Sequence, residues 1–167
     1  TVNSGGFMRG QLQATHLVLR PILSPAFEVP AVAIDAEGAA LVDITVNRDA
    51  NGAITSGTVV FDVNYRFPLG TAVTLTGLHL HNAAVGVNGP VVIDSGLNNS
   101  TRAVTVPGGV GNIFRIAEIP STDTAGIAAL TGLMADPTQF YINLHTSVNP
   151  GGVMRGQLSK NLYVFFN

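Results

Sequence analysis

Residues 39–65 read AALVDITVNRDANGAITSGTVVFDVNY. Two runs rich in β-branched residues, Ala39–Val46 and Thr55–Tyr65, flank the segment RDANGAIT. Within it, Asn51-Gly52 is a strong hairpin signal, because both central residues of a type I′ turn need positive φ. The stretch therefore predicts two antiparallel strands joined by a tight turn. Its Asp-x-Asn-x-Gly spelling also opens like a calcium loop. A complete loop needs further oxygen ligands and a distal Glu, and Ala53 to Gly57 supply none. The plain turn is the better reading.

The same punctuation continues outward in both directions. Phe7–Gln13, Leu17–Leu19, Val73–His81, Val91–Asp94, Arg102–Val106, Gln139–His145 and Val153–Phe166 are further candidate strands, bounded by Gly, Pro, Asn or Asp. Many short strands with such turn signals predict an all-β chain, an antiparallel sandwich or barrel. One stretch breaks the pattern. In STDTAGIAALTGLMADP (residues 121–137), Thr122 and Asp123 are candidate N-caps, Ile127, Leu130, Leu133 and Met134 recur at helical spacing, and Pro137 stops the run. This predicts one short crossover helix whose apolar stripe is core.

At 167 residues the chain is long enough for one sizeable core. Charged residues are 11% of it, against about 25% in ordinary soluble domains. So weakly charged a surface has little self-repulsion to keep copies apart, which favours assembly. The eight Lys and Arg are scattered singly and the net charge is −2. No basic patch is available to neutralise phosphates, which argues against nucleic acid as a partner. No apolar run approaches the roughly 20 residues that a membrane-spanning helix needs, and the start lacks a charged region followed by an apolar stretch, so the chain reads as mature and soluble. Without cysteine there are no disulfides or thiolate metal sites.

The two ends repeat one another. Val2 to Leu12 and Val148 to Leu158 match at nine of eleven positions, differing at Ser4/Pro150 and Phe7/Val153. The amino-terminal copy reads as a final strand without its own domain, which divides the chain into a duplicated strand at 1–16 and a β-domain at 17–167. Three explanations stand: a unit cut from a tandem array, a strand closing an edge of its own sandwich, or a strand that adds to a sheet edge of the next subunit. An unpaired edge is a liability that a spare strand covers, and a head-to-tail contact that does not close builds a filament. Val2, Phe7, Met8, Arg9, Gln11 and Leu12 are the candidate assembly residues.

Chemistry concentrates on the histidines. Alternate strand residues share a face, so in GLHLH (77–81) Leu78 and Leu80 point inward while His79 and His81 face the other way. In FYINLH (140–145) the same parity puts Phe140, Ile142 and Leu144 inward and Tyr141, Asn143 and His145 outward. If these strands are neighbours, three imidazoles gather on one outer face. Residues i and i+2 of a strand lie about 6.6 Å apart, close enough for both rings to reach one ion. Three neutral imidazoles with an open fourth position suit copper or zinc, with affinity expected to collapse as pH falls through about 6.5. The alternative needs no metal: the rings hydrogen-bond backbone carbonyls, or Asn and Thr side chains, at a sheet edge. His16 stands apart from them. Glu28 has apolar neighbours, Phe27 and Val29, which imply partial burial, and a buried carboxylate needs a partner. Arg155 or an oriented histidine would serve. No Gly-x-Ser-x-Gly elbow, phosphate-cradling loop, cysteine nucleophile or paired carboxylates point to catalysis.

Three stretches, LSPAFEVPAV, GLHLHNAAVGVNGPVVIDSG and FYINLHTSVNPGGVMRGQL, together and in this order resemble the CHRD domain family, over about Leu17 to Leu158. Two departures stand out. Val-Pro-Ala follows Glu28 where the family often has a double proline, and the amino-terminal copy of the last motif is not part of a single domain. The resemblance implies an immunoglobulin-like, Greek-key β-sandwich, an extracellular or periplasmic setting and frequent tandem repetition, with no settled activity. The His-x-His pair plus a distant histidine is also similar to the copper site of copper/zinc superoxide dismutases, though nothing nearby forms a bridged zinc site.

The expectation is thus a non-enzymatic extracellular structural module that self-assembles head to tail, with itself as partner and with surface or matrix contacts. The alternative is a copper- or zinc-binding protein of the cell surface or periplasm that uses His79, His81 and His145, with superoxide dismutase-like redox chemistry as its enzymatic form.

Overall fold

The computed structural model describes residues 13–98 and 101–159. The strands are β1 (His16–Leu19), β2 (Ile22–Leu23), β3 (Glu37–Arg48), β4 (Ile54–Arg66), β5 (Val73–Asn82), β6 (Val91–Asn98), β7 (Val104–Val106), β8 (Val110–Ile119), β9 (Phe140–Thr146) and β10 (Met154–Gln157), with one helix, α1 (Thr124–Ala135), between β8 and β9. They form two antiparallel sheets. The first runs β1-β3-β4-β8, with β2 also on β3; the second runs β10-β9-β5-β6, with β7 also on β5. The protein is an all-β sandwich with one short crossover helix.

The β3–β4 hairpin pairs from Glu37 opposite Arg66 to Arg48 opposite Ile54. Ala40, Val42, Ile44 and Val46 of β3 and Val59, Phe61, Val63 and Tyr65 of β4 fall on the inner face and are buried. Burial of a large apolar side chain stabilises by about 1.5–3 kcal/mol, and that fixes the register. The turn differs from the expected type I′. Gly52 has φ +87° and, among the described residues, none other than glycine has positive φ, so Asn51 stays on the ordinary side. Asp49 organises the loop instead, its carboxylate accepting from the backbone N–H of Asn51 and of Ala53, both at 2.9 Å. The oxygen that suggested calcium is spent on the turn.

Strand β8 was not expected from the sequence. It follows the turn at Gly108 and Gly109 and pairs with β4 from Val110 opposite Arg66 to Ile119 opposite Gly57. It buries Ile113, Ala117 and Ile119 and leaves Val110, Phe114 and Ile116 exposed. The helix starts at Asp123, which caps Gly126 N–H at 2.9 Å, and it buries Ala129, Leu130 and Leu133. Ile127 and Met134 pack against the core from its margin. Most of the duplicated segment, including all its candidate assembly residues, and the end of the expected last strand lie outside the described residues.

Candidate metal centre

In the second sheet the inner face is Leu78 and Leu80 of β5, Ile142 and Leu144 of β9 and Met154 of β10, all fully buried. The alternate residues form rows across the other face. Asp94, His79, Asn143 and Arg155 are cross-strand partners in one row, and His81, Tyr141 and Gln157 in the next. His145 pairs with Gly77. The face is not the open surface that strand parity implied. His81, Tyr141, Asn143, His145 and Arg155 are buried, and β5 and β9 are interior strands rather than a sheet edge.

Loops cover it, and Arg155 ties them down. Its guanidinium donates to Phe27 O at 2.6 Å, to Val87 O at 3.1 Å and to Asn88 Oδ1 at 3.1 Å, and lies 4.6 Å from the Tyr141 ring centroid. Gln157 donates to Ala83 O, Thr138 O and Phe140 O. Outside this layer, a groove of about 600 Å³ has Ile22, Phe27, Val29 and Val85 on its walls, with Glu28 and Arg155 also lining it.

The three imidazoles come together. One ring nitrogen of each lies within 4.8 Å of those of the other two. His79 and His145 have ring centroids 4.8 Å apart, and His81 stacks on Tyr141 at 4.8 Å. Gly77 permits this approach: a Cβ there would sit 2.8 Å from His79 Cε1 and 3.2 Å from His145 Cδ2.

Hydrogen bonding fixes which nitrogens keep a lone pair. A carbonyl oxygen only accepts, so His81 Nδ1, 3.0 Å from Gly89 O, and His145 Nδ1, 2.9 Å from Pro150 O, both carry hydrogen. That leaves both Nε2 atoms bare when the rings are neutral. His145 Nε2 lies 3.2 Å from His79 Nδ1, while His79 Nε2 faces Asp94 Oδ1 at 3.6 Å. If His79 donates to Asp94, two lone pairs oppose one another. If it donates to His145, its other nitrogen lies bare before a carboxylate. His81 Nε2 is buried with no partner among the described residues. Burial lowers the pKa of all three rings, that of His145 to about 4, with the Pro150 carbonyl partly opposing. At neutral pH all three are neutral and able to ligate.

Glu28 lies beside this cluster rather than in it. Its Oε2 is 3.9 Å from Arg155 Nε. Burial pushes its pKa up to about 7, against the opposing pull of Arg155 and the Asn143 amide. Among the described residues Glu28 Oε1, Asn143 Oδ1 and Arg155 Nη2 join His81 Nε2 as buried polar atoms without a partner. His16, apart as expected, bonds Asp43 at 2.7 Å. Asp94, Tyr141 and Gly77 were not singled out for the site from the sequence. Only the cross-strand register reveals the role of Asp94, whereas the parity of FYINLH already placed Tyr141 on the histidine face.

A two-sheet antiparallel sandwich with a covered polar face defines a small all-β module. The CHRD domain model matches residues 19–158, and the chain belongs to the CHRD domain family, whose domains are typically extracellular and generally non-enzymatic. No curated protein and no solved structure gives a significant match. Among the described residues no helix is long and apolar enough to cross a membrane.

Proposed function

We propose that this extracellular module binds a copper or zinc ion through His79, His81 and His145. The observation that carries the reading is the buried His81 Nε2, which has no partner among the described residues and lies within 4.8 Å of a His79–His145 pair whose ring nitrogens are 3.2 Å apart. A buried acceptor without a partner costs about 1–3 kcal/mol, and a shared cation would satisfy all three rings. Metal–nitrogen bonds of about 2.0–2.1 Å place donors roughly 3.3–3.5 Å apart, and the His79–His145 separation of 3.2 Å is close to that. His81 and His145 already have the carbonyl outer partner that metal-bound histidines use, and His79 Nε2 faces the Asp94 carboxylate at 3.6 Å. The test is elemental analysis after loading at neutral pH and desalting. One equivalent of copper or zinc in the native chain, lost in His79→Ala/His81→Ala, supports the reading; background metal in both sinks it.

A second reading, head-to-tail self-assembly, is supported by β8. This edge strand shows Val110, Phe114 and Ile116 to solvent on a weakly charged molecule, and such an edge invites strand addition. The duplicated segment 1–13 is the candidate added strand. Electron microscopy of the chain with and without it decides the matter: filaments that persist after the deletion exclude this mode of assembly.

A further inference from the structure

The charges around the three histidines bear on which ion they would hold. The donors are three neutral rings, and no carboxylate or thiolate joins the cluster among the described residues. Asp94 is the nearest acid seen, 3.6 Å from the outer nitrogen of His79 with its side chain 57% exposed, so water screens much of its charge. The other nearby charge has the wrong sign: the Arg155 guanidinium lies over Tyr141, which stacks on His81. Glu28, the buried acid, lies against Arg155.

Two physical effects follow. The desolvation cost of a buried ion grows with the square of its charge, so a dication costs about four times as much as a monocation of the same size. No ligand charge offsets that difference here. In addition, zinc is four-coordinate, so at three histidines it must also hold a water or an anion in the fourth position, beneath loops that cover this face. A monovalent d¹⁰ ion is satisfied by three neutral nitrogen donors and needs neither a fourth ligand nor a compensating anion.

Resting on the metal reading above, we infer that the site is selective for monovalent copper over divalent copper and zinc. The full chain is titrated anaerobically with Cu(I) in competition with bicinchoninate, and separately with Zn(II) in competition with a chromophoric zinc chelator. The His79→Ala/His81→Ala variant is the reference in both titrations. The expected result is one Cu(I) bound per native chain, at least 100-fold tighter than Zn(II), with both lost in the variant. A chain loaded with Cu(II) and treated with ascorbate, which supplies one electron per copper, loses its paramagnetic signal while copper stays bound through desalting. Zinc binding as tight as Cu(I), or a Cu(II) signal that survives ascorbate, overturns the selectivity and leaves the metal site standing. No binding of any of the three ions above the variant overturns the metal reading and the selectivity together.

Discussion

The two faces of the second sheet are built from the same strands, one residue out of step, and both are buried. Leu78, Leu80, Ile142 and Leu144 meet the opposite sheet and need only shape and apolar area. His79, His81, Asn143, His145 and Arg155 meet loops and need partners for every polar atom, and in this layer, counting Glu28, four such atoms find none among the described residues. Dense packing is common to both, but only the outer layer has unsatisfied bonding capacity. A hydrophobic layer is complete when it is full. A polar layer is complete when it is paired, and that is why the outer face is the place to look for a ligand.

The comparison breaks most sharply at Arg155. Arg155→Ala removes the donor shared by Phe27 O, Val87 O and Asn88 Oδ1 and strands Glu28, which predicts a loss of about 3–5 kcal/mol in urea unfolding. Leu80→Ala on the inner face predicts about 3 kcal/mol with metal uptake unchanged. If Arg155→Ala proves nearly neutral, the outer layer is a solvated rim rather than a second core.

Next in size is the pH response of Glu28→Gln. The pKa of Glu28 is raised to about 7 from 4.5, so between those values the folded chain holds a proton that the unfolded chain has released. Its stabilising contribution is full below pH 4.5 and is lost as pH rises through 7. The unfolding free energy of Glu28→Gln relative to the native chain should therefore rise by about 2–3 kcal/mol from pH 4.5 to 8. His145 titrates in the opposite sense and cancels in the difference. A pH-independent difference would mean that the carboxyl is solvated.

Two smaller effects concern the imidazoles alone. Their lowered pKa values, about 4 for His145, predict that acid releases bound metal with a midpoint below 6.5, read by dialysis across a pH series. Release at or above 6.5 would place the rings in water. Asp94→Asn should weaken metal binding about tenfold by loosening His79 while leaving urea stability unchanged. An unaltered affinity would remove Asp94 from the site.

Period-two alternation made the division between the faces legible, since GLHLH and FYINLH each state which residues look inward. It could not say what lies on the other side. Part of the cover follows the histidine strands directly, Gly89 after His81 and Pro150 after His145, but nothing in those strands encodes Phe27 or Arg155 as what closes the layer. The same limit hid Asp94, whose place beside His79 depends on the β5–β6 register with its two irregularities. Strand β8 was missed for another reason: it follows the Gly108-Gly109 turn and opens Val-Gly-Asn, which mimics a loop, while its alternation of Ile113, Ala117 and Ile119 with exposed residues is diluted by Phe114 and Ile116 pointing outward. The hairpin was legible from Asn51-Gly52, but its geometry was not, because Asp49 competes for the turn through its side chain.

His79 and His145 are 66 positions apart along the chain and 3.2 Å apart in space. This sequence has no cysteine, so no disulfide can join its strands. An ion held between those two rings would be a coordinate cross-link across β5 and β9 for as long as it stays bound. By loop-closure entropy, a permanent link of that span is worth up to about 4 kcal/mol against unfolding. A chain loaded with metal would thus resist heat and proteases in the way that secreted domains usually achieve with oxidised sulfur.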